Sequence, residues 1–292
     1  MDVLPETEFP ALYKAADRAA MAGQRRLLAA TAVRLISLVI AAIFGSLSVI
    51  VGSLDAAGTV AASAMGAALV TEVYLLTTRP ERQWYEARAA AESAKTLAWR
   101  YLVGGQPFDV DGDDHGADQL LLRRYSRITA ALHGFAPVPV SDADAQVTER
   151  MRQVRALSLD ERKRHYMVGR LDDQRAWYAA KAARHEQQAG RWLIMLALLE
   201  GFGLVAAALK SAQALDLDLP GILGAVAAAG VAWLQTRQHQ QLGNAYSIAA
   251  LEVGDIVSRA DWPTTESEWA HFVDEAEEAI SREHMLWSAS HS

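Results

Sequence analysis

The chain has 292 residues, a formal net charge of −7 and no cysteine. That acidic balance argues against nucleic acid as the main partner, and the missing thiols exclude disulfides, thiolate metal sites and a cysteine nucleophile. Two soluble domains would fit the length, but a mean hydropathy of +0.03 averages strongly apolar blocks with strongly polar ones.

Residues 1–34 read as an amphipathic lead-in, with Lys14, Arg18, Arg25, Arg26 and Arg34 ahead of the first apolar block. That block starts too late for a secretory signal and lacks the small-residue cleavage pattern. From Leu35 to Leu54 there is no charge, and from Ala56 to Thr78 only Glu72. A bilayer core about 30 Å thick is crossed by about 20 helical residues, so both runs are long enough. The joint at Asp55 predicts a tight turn, and hence a membrane-spanning hairpin. The turn holds no Lys or Arg, whereas Arg79, Arg82, Arg88, Lys95 and Arg100 follow the second span. The positive-inside rule then puts the N-terminus and everything after Thr78 in the cytoplasm. Arg34 and Glu72 lie equally far from Ser53 along the chain. A hairpin turning there brings them together near the cytoplasmic face to pair, unless each snorkels to the interface separately.

Thr78 with Glu81 is a capping-box pattern, and Pro80 suits an early helical position. A cytoplasmic helix is therefore predicted from there to Gly104-Gly105, with Arg88 and Glu92 at i,i+4 spacing. Asp109-Val110-Asp111-Gly112-Asp113-Asp114-His115 invites a calcium reading but fails the EF-hand template. Asp114 occupies the glycine position, and Leu120 stands where the bidentate Glu belongs, so the stretch reads as a solvated acidic loop. Helices are predicted over 119–133 and beyond the 136–140 loop. The second opens with Ser141 and Asp144 and buries Val147, Met151, Val154 and Leu157 at helical spacing.

Ser158 and Glu161 open a helix that nothing stops before Leu209, about 75 Å at 1.5 Å per residue, with Gly190 as the expected kink. Trp192 to Leu209 is apolar except for Glu200, and Leu219 to Leu234 is apolar throughout. Arg175, Lys181, Arg184 and Arg191 precede this second hairpin and Arg237 follows it, which gives it the orientation of the first. Glu200 has no Lys, Arg or His opposite it in the fourth span. It is either protonated within the bundle and bonded to a carbonyl near Gly224, or turned to a water-filled axis in an oligomer. Ala62, Gly66, Gly221, Gly224 and Gly230 allow close helix approach, within one chain or between subunits. The fourth span is expected to run on as one helix, with Leu242, Tyr246, Ala249, Val253 and Ile256 forming a seam for another helix. Trp262-Pro263 ends it. Thr265 and Glu268 then cap a last helix with Trp269, Phe272, Ala276 and Ile280 on one face. Its other face, Glu266, Glu268, Asp274, Glu275, Glu277 and Glu278, reads as solvated or as a docking surface for a basic partner.

Trp84-Tyr85, Arg88-Ala89, Ala91-Glu92-Ser93, Lys95 to Tyr101 (with Trp99 and Arg100) and Pro107-Phe108, set just after a two-span hairpin, resemble the SLATT families. These are bacterial two-transmembrane effector domains associated with nucleotide-signal (SMODS) and SLOG sensor systems. Arg164-His165-Tyr166, Arg170-Leu171, Gln174 and Trp177-Tyr178, leading into the second hairpin, resemble a related branch. Trp177-Tyr178 with Lys181 also echoes Trp84-Tyr85 with Arg88, either as a duplicated unit or as a coincidence between two alanine-rich helices. The resemblance implies a pore-forming or membrane-disrupting effector in anti-phage or other conflict systems, and it supplies no catalytic residue.

No HExxH, P-loop, GxSxG or dinucleotide fingerprint occurs, and the histidines do not fall at metal-ligand spacings, so no enzyme, cofactor or metal is expected. The expectation is an all-α, four-span helical membrane protein of two transmembrane hairpins with a mostly helical cytoplasmic body. Residues 1–108 make a first SLATT-like unit, 109–157 a cytoplasmic loop and helices, and 158–292 a second unit with stalk, hairpin and acidic C-terminal helices. Such a chain sits in the bacterial inner membrane with both termini cytoplasmic. It forms a homo-oligomer and answers to a cytoplasmic sensor or nucleotide-signal component encoded separately. The alternative is a non-conducting, membrane-anchored scaffold that recruits a cytoplasmic partner.

Overall fold

The computed structural model describes residues 8–110, 114–132 and 145–289, of which 282–289 by their backbone. Ten α-helices carry the fold among these residues: α1 (Ala11–Gly45), α2 (Ala56–Thr78), α3 (Pro80–Val103), α4 (Asp114–Ala131), α5 (Glu149–Arg155), α6 (Leu159–Tyr166), α7 (Asp173–Ser211), α8 (Leu219–Arg237), α9 (His239–Arg259) and α10 (Glu266–Ala289). A π-helical segment, Met167–Asp172, joins α6 to α7. The chain divides into two compact units. One, here the polar unit, is Met1–Gln24, Glu81–Lys181 and Ala245–Ser292; the other, the span unit, is Arg25–Pro80 and Ala182–Asn244.

Four helical stretches are long and apolar enough to cross a membrane. In the span unit their outer faces expose Leu69 (65%), Val70 (70%), Phe202 (65%) and Leu204 (74%). Water would penalise that surface at about 25 cal/mol per Å², whereas hydrocarbon solvates it. The protein is an all-α, four-span helical membrane protein. Between α7 and α8 a side chain comes close to a backbone: a Cβ on Gly230 would lie 2.8 Å from Leu196 Cδ2, so glycine lets that leucine seat there. Gly66 and Gly224, in contrast, have nothing within 4 Å of a built Cβ.

The first hairpin differs from its expected form. Helix α1 stops at Gly45, and the apolar residues beyond it do not extend the span. Ile50–Val51 (β1) and Leu54–Asp55 (β2) pair antiparallel instead, with register Ile50↔Asp55 and Val51↔Leu54 and with Gly52 at φ 65°. β-Branched residues at 49–51 suit this ladder. Asp55 then caps α2, its carboxylate accepting from Gly58 N–H at 3.2 Å. Thr78 does not stand as the N-cap of the next helix, as the expected Thr78–Glu81 capping box would have it. Thr78 is the last residue of α2 and its hydroxyl donates back to the Tyr74 carbonyl at 2.7 Å. Arg79 takes the left-handed conformation (φ 43°), its N–H donates to the Leu75 carbonyl, and Pro80 opens α3.

Two further expectations are corrected. Helix α7 passes Gly190 without interruption, and the irregularity lies at Met167–Asp172 instead. The fourth span does not run on as one helix: Gln238 is left-handed (φ 47°) and separates α8 from α9. The last two capping boxes do form. Glu161 accepts from Ser158 N–H at 3.1 Å, and Glu268 accepts from Thr265 N–H at 3.2 Å while Thr265 Oγ1 accepts from Glu268 N–H at 3.3 Å. The expected Ser141–Asp144 box lies outside the described residues, as do Asp111 to Asp113; Asp114 heads α4.

The polar unit has its own core. Phe9, Trp99, Tyr166 and Trp269 form a chain of edge-to-face rings with centroids 6.0, 6.0 and 5.7 Å apart. The seam on α9 closes within this core: Ala249, Val253 and Ile256 are buried there, and Tyr246 packs on Trp177 at 5.4 Å. It is therefore occupied inside the chain and is not a free face for a second copy. Close approach again needs a glycine, since a Cβ on Gly23 would stand 3.0 Å from the Trp84 Cα.

Candidate functional site

Three arginines between α5 and α7 organise the polar unit. Arg155 donates to the carbonyls of Tyr101 (3.0 Å), Phe108 (2.7 Å) and Asp109 (3.1 Å), holding the turn after α3. Arg162 donates to the Val103 carbonyl at 2.7 Å and pairs with Glu266. The same Val103 carbonyl accepts from Trp269 Nε1 at 2.8 Å. Arg170, in the π-helical segment, meets Glu277 of α10 side-on, Nε to Oε1 at 2.8 Å and Nη2 to Oε2 at 2.7 Å. Both are essentially sealed from solvent, at 1% and 0% exposure.

Glu277 is satisfied further. Tyr166 O–H donates to Oε1 at 3.0 Å and Thr96 O–H to Oε2 at 2.9 Å, while Arg170 Nη1 donates to Gln174 Oε1 at 3.3 Å. Burial first, and then the Glu277 carboxylate, hold the Tyr166 hydroxyl well above its ordinary range, so it stays a donor. One carboxylate thus ties α3, α6, the π segment and α10 together. Short π-helical segments inserted in α-helices frequently fall at functional positions.

The residues singled out in the sequence fall around this network or in the spans. Arg88 pairs with Glu92 at 2.6 Å and with Asp17 of α1 at 3.3 Å. Burial works against its charge, but the Glu92 and Asp17 carboxylates outweigh it and raise its pKa. Lys95 is half-buried, and burial, then the Arg170 guanidinium, lower its pKa. Trp99 is core, and Arg100 pairs with Asp274 at 2.5 Å. Trp84 stacks on Tyr85 at 4.8 Å, and Tyr178 stacks on Tyr246 at 5.9 Å. Arg34 and Glu72 meet in the span unit at 2.8 Å.

Glu200 is exposed on the outside of α7, and among the described residues no hydrogen bond or ion pair reaches it. The reading of the α10 acids as one solvated face is also corrected: Glu277 is buried, Glu266 and Asp274 are paired, and Glu268 is a cap.

These features define a four-span helical membrane protein whose polar helices are locked by buried arginine–carboxylate pairs. The chain belongs to the SLATT family: the family model described as SMODS and SLOG-associating 2TM effector domain 3 matches residues 10–163, and that of effector domain 1 matches residues 166–287. No curated protein and no solved structure matches the chain.

Proposed function

We propose that several copies of the chain assemble in the bacterial inner membrane and open or disrupt the bilayer. The trigger is a separately encoded cytoplasmic sensor or nucleotide-signal component acting on the polar unit, in anti-phage defence. The observation that carries this reading is Glu200, an acid on the outer face of the third span with no partner among the described residues. An ionised acid at mid-span costs about 2.5–3.5 kcal/mol on insertion scales. A neighbouring copy or a water-lined axis removes that cost, and a ring of such acids favours cations. Four spans of one chain are too few to enclose a channel, so the axis lies between copies. The open surfaces at Gly66 and Gly224 are of the kind that lets helices of adjacent subunits approach. Membership of an effector family and the Lys and Arg flanking the hairpins support the trigger and the orientation. No reaction is assigned to the chain.

The test is flux from liposomes carrying the purified protein, read with a potential-sensitive dye. Glu200→Gln and Glu200→Leu should insert and assemble like wild type, yet change cation selectivity or abolish flux. If Glu200→Leu conducts as wild type does, Glu200 does not line the axis; if the wild type is monomeric in nanodiscs, the pore reading is wrong.

A further inference from the structure

The polar unit contains a cleft of about 320 Å³ between α3, α4 and α10. Its polar lining is Arg100, Arg124, Arg127, Ser93, Thr96 and Ser281. The nearby acid Asp274 is already paired with Arg100. Among the described residues Arg124 and Arg127 have no acidic partner, so two positive charges face the cleft in a chain whose net charge is −7. The Nε atoms of Arg100 and Arg124 are buried and find no acceptor among the described residues. Buried donors without acceptors are disfavoured, and a small rotation of either guanidinium would present it to an anion seated in the cleft. Leu97 and Ile128 complete the wall with apolar surface.

We propose that this cleft binds a phosphate-bearing small molecule with a flat, weakly polar body, the chemistry of a nucleotide. Guanidinium forks match phosphate oxygens, the hydroxyls of Ser93, Thr96 and Ser281 supply further donors, and the two aliphatic side chains face the base. The volume lies at the low end of that for small-molecule sites, which suits a mononucleotide or one half of a dinucleotide.

The cleft also has a way to report occupancy, and this step rests on the triggered-effector reading above. The Thr96 hydroxyl has one proton. In the structure it goes to Glu277 Oε2 at 2.9 Å, with Ser281 Oγ beside it at 3.1 Å. A phosphate oxygen at Thr96 competes with Glu277 for that proton. Glu277 is the carboxylate that holds Arg170 in the π-helical segment, and that segment leads directly into α7. Binding therefore loosens one of the four bonds that fix the junction ahead of the third span.

The experiment uses the full-length protein in nanodiscs of neutral lipid, titrated at low salt with AMP, ADP and cyclic di-AMP by calorimetry. At least one nucleotide should bind, with affinity falling as salt rises. Arg124→Ala and Arg127→Ala should each weaken binding at least about tenfold. Neither arginine holds another described residue, so both variants should fold. Arg123→Ala, exposed on the same helix and outside the cleft, should bind as wild type does. If no nucleotide binds, or Arg123→Ala weakens binding as much as the other two, the site is refuted. A second arm repeats the titration in phosphatidylglycerol nanodiscs; loss of nucleotide binding there assigns the cleft to a lipid headgroup and overturns a soluble ligand. Thr96→Val tests the report, since it should keep binding within a few-fold but lose nucleotide-dependent flux. Binding without any change in flux, in a wild type that conducts, overturns the report and leaves the site standing. A wild type that binds but never conducts refutes the pore reading alone.

Discussion

Replacing Glu277 by Leu should unfasten the polar unit, and replacing Arg170 by Met as well should refasten it. The carboxylate accepts two charge-assisted bonds from Arg170 at 2.8 and 2.7 Å and two hydroxyl bonds from Tyr166 and Thr96 at 3.0 and 2.9 Å. Counting each singly would give an inflated total, because the four share one acceptor group and act as a unit. The better guide is what is left behind. In Glu277→Leu the Arg170 charge stays buried with only the Gln174 carbonyl at 3.3 Å. Leaving one member of a buried pair alone costs about 3–5 kcal/mol, whereas exchanging both for apolar groups of similar size is often neutral or stabilising. Global unfolding of a four-span protein is not a two-state process, so the measurement should be local. Hydrogen exchange of the α3 and α10 amides in detergent should speed up about a hundredfold in Glu277→Leu, the equivalent of about 3 kcal/mol. Arg170→Met with Glu277→Leu should return within about tenfold of wild type. If the single variant exchanges less than about fivefold faster, or the double variant is worse than the single, the network is not what fixes these helices.

Two other outcomes are expected. Glu268 has its pKa lowered, chiefly by the N–H groups of Thr264 and Thr265 that its carboxylate accepts from; such a group contributes stability above its ordinary value of 4.5, and that contribution fades as pH falls through the lowered folded value. Protection at the start of α10, taken relative to the intrinsic exchange rate at each pH, should therefore fall below about pH 4 in wild type and be low already at pH 7 in Glu268→Ala; wild-type protection that does not change with pH would contradict the cap. For orientation, Ser53→Cys and Asp216→Cys, each the sole thiol of its variant, should react with impermeant maleimide on intact spheroplasts, whereas Ser126→Cys on α4 should react only after lysis. Reaction of Ser126→Cys in intact cells would place the polar unit outside.

The spans were legible because hydrocarbon imposes one rule on every residue facing it, and a soluble fold rarely keeps about 20 successive residues uncharged. The Arg34–Glu72 pair was legible for a simpler reason. The β1–β2 ladder is centred between Gly52 and Ser53, half a residue from the symmetry point of a plain turn at Ser53. Pairing across a hairpin depends on that centre and not on the turn's form. The buried network was less visible. Glu277 stands four residues after Val273 and three before Ile280, both core positions, so helical period alone places it on the edge of the apolar face. Sorting α10 by charge hid this. The partner, Arg170, is 107 residues away, and a contact at that separation leaves no periodic trace in one sequence. Its signal was the spacing of Tyr166, Arg170 and Gln174, four residues apart on one helical face.

The two joints after the return spans were illegible in a way that is itself informative. Helix α2 ends through Arg79 and α8 through Gln238, each left-handed, each donating its N–H to the carbonyl four residues back, Leu75 at 3.1 Å and Leu234 at 2.9 Å. Neither is glycine or asparagine, the residues that mark such a bend in a sequence. A non-glycine residue is strained in that conformation and keeps it only where the surroundings impose it. Both hairpins therefore repeat one plan: a helix of 35 or 39 residues, a return span of 23 or 19, a single left-handed residue, and a further helix of 24 or 21. With one SLATT family model matching each half of the chain, the shared joint favours duplication over a coincidence of alanine-rich helices. The two halves also differ in one respect. In the first, Trp84-Tyr85 stands just past the joint on the outgoing helix. In the second, Trp177-Tyr178 stands ahead of the span on the incoming one. The aromatic echo therefore falls outside the shared plan, whereas the joint belongs to it.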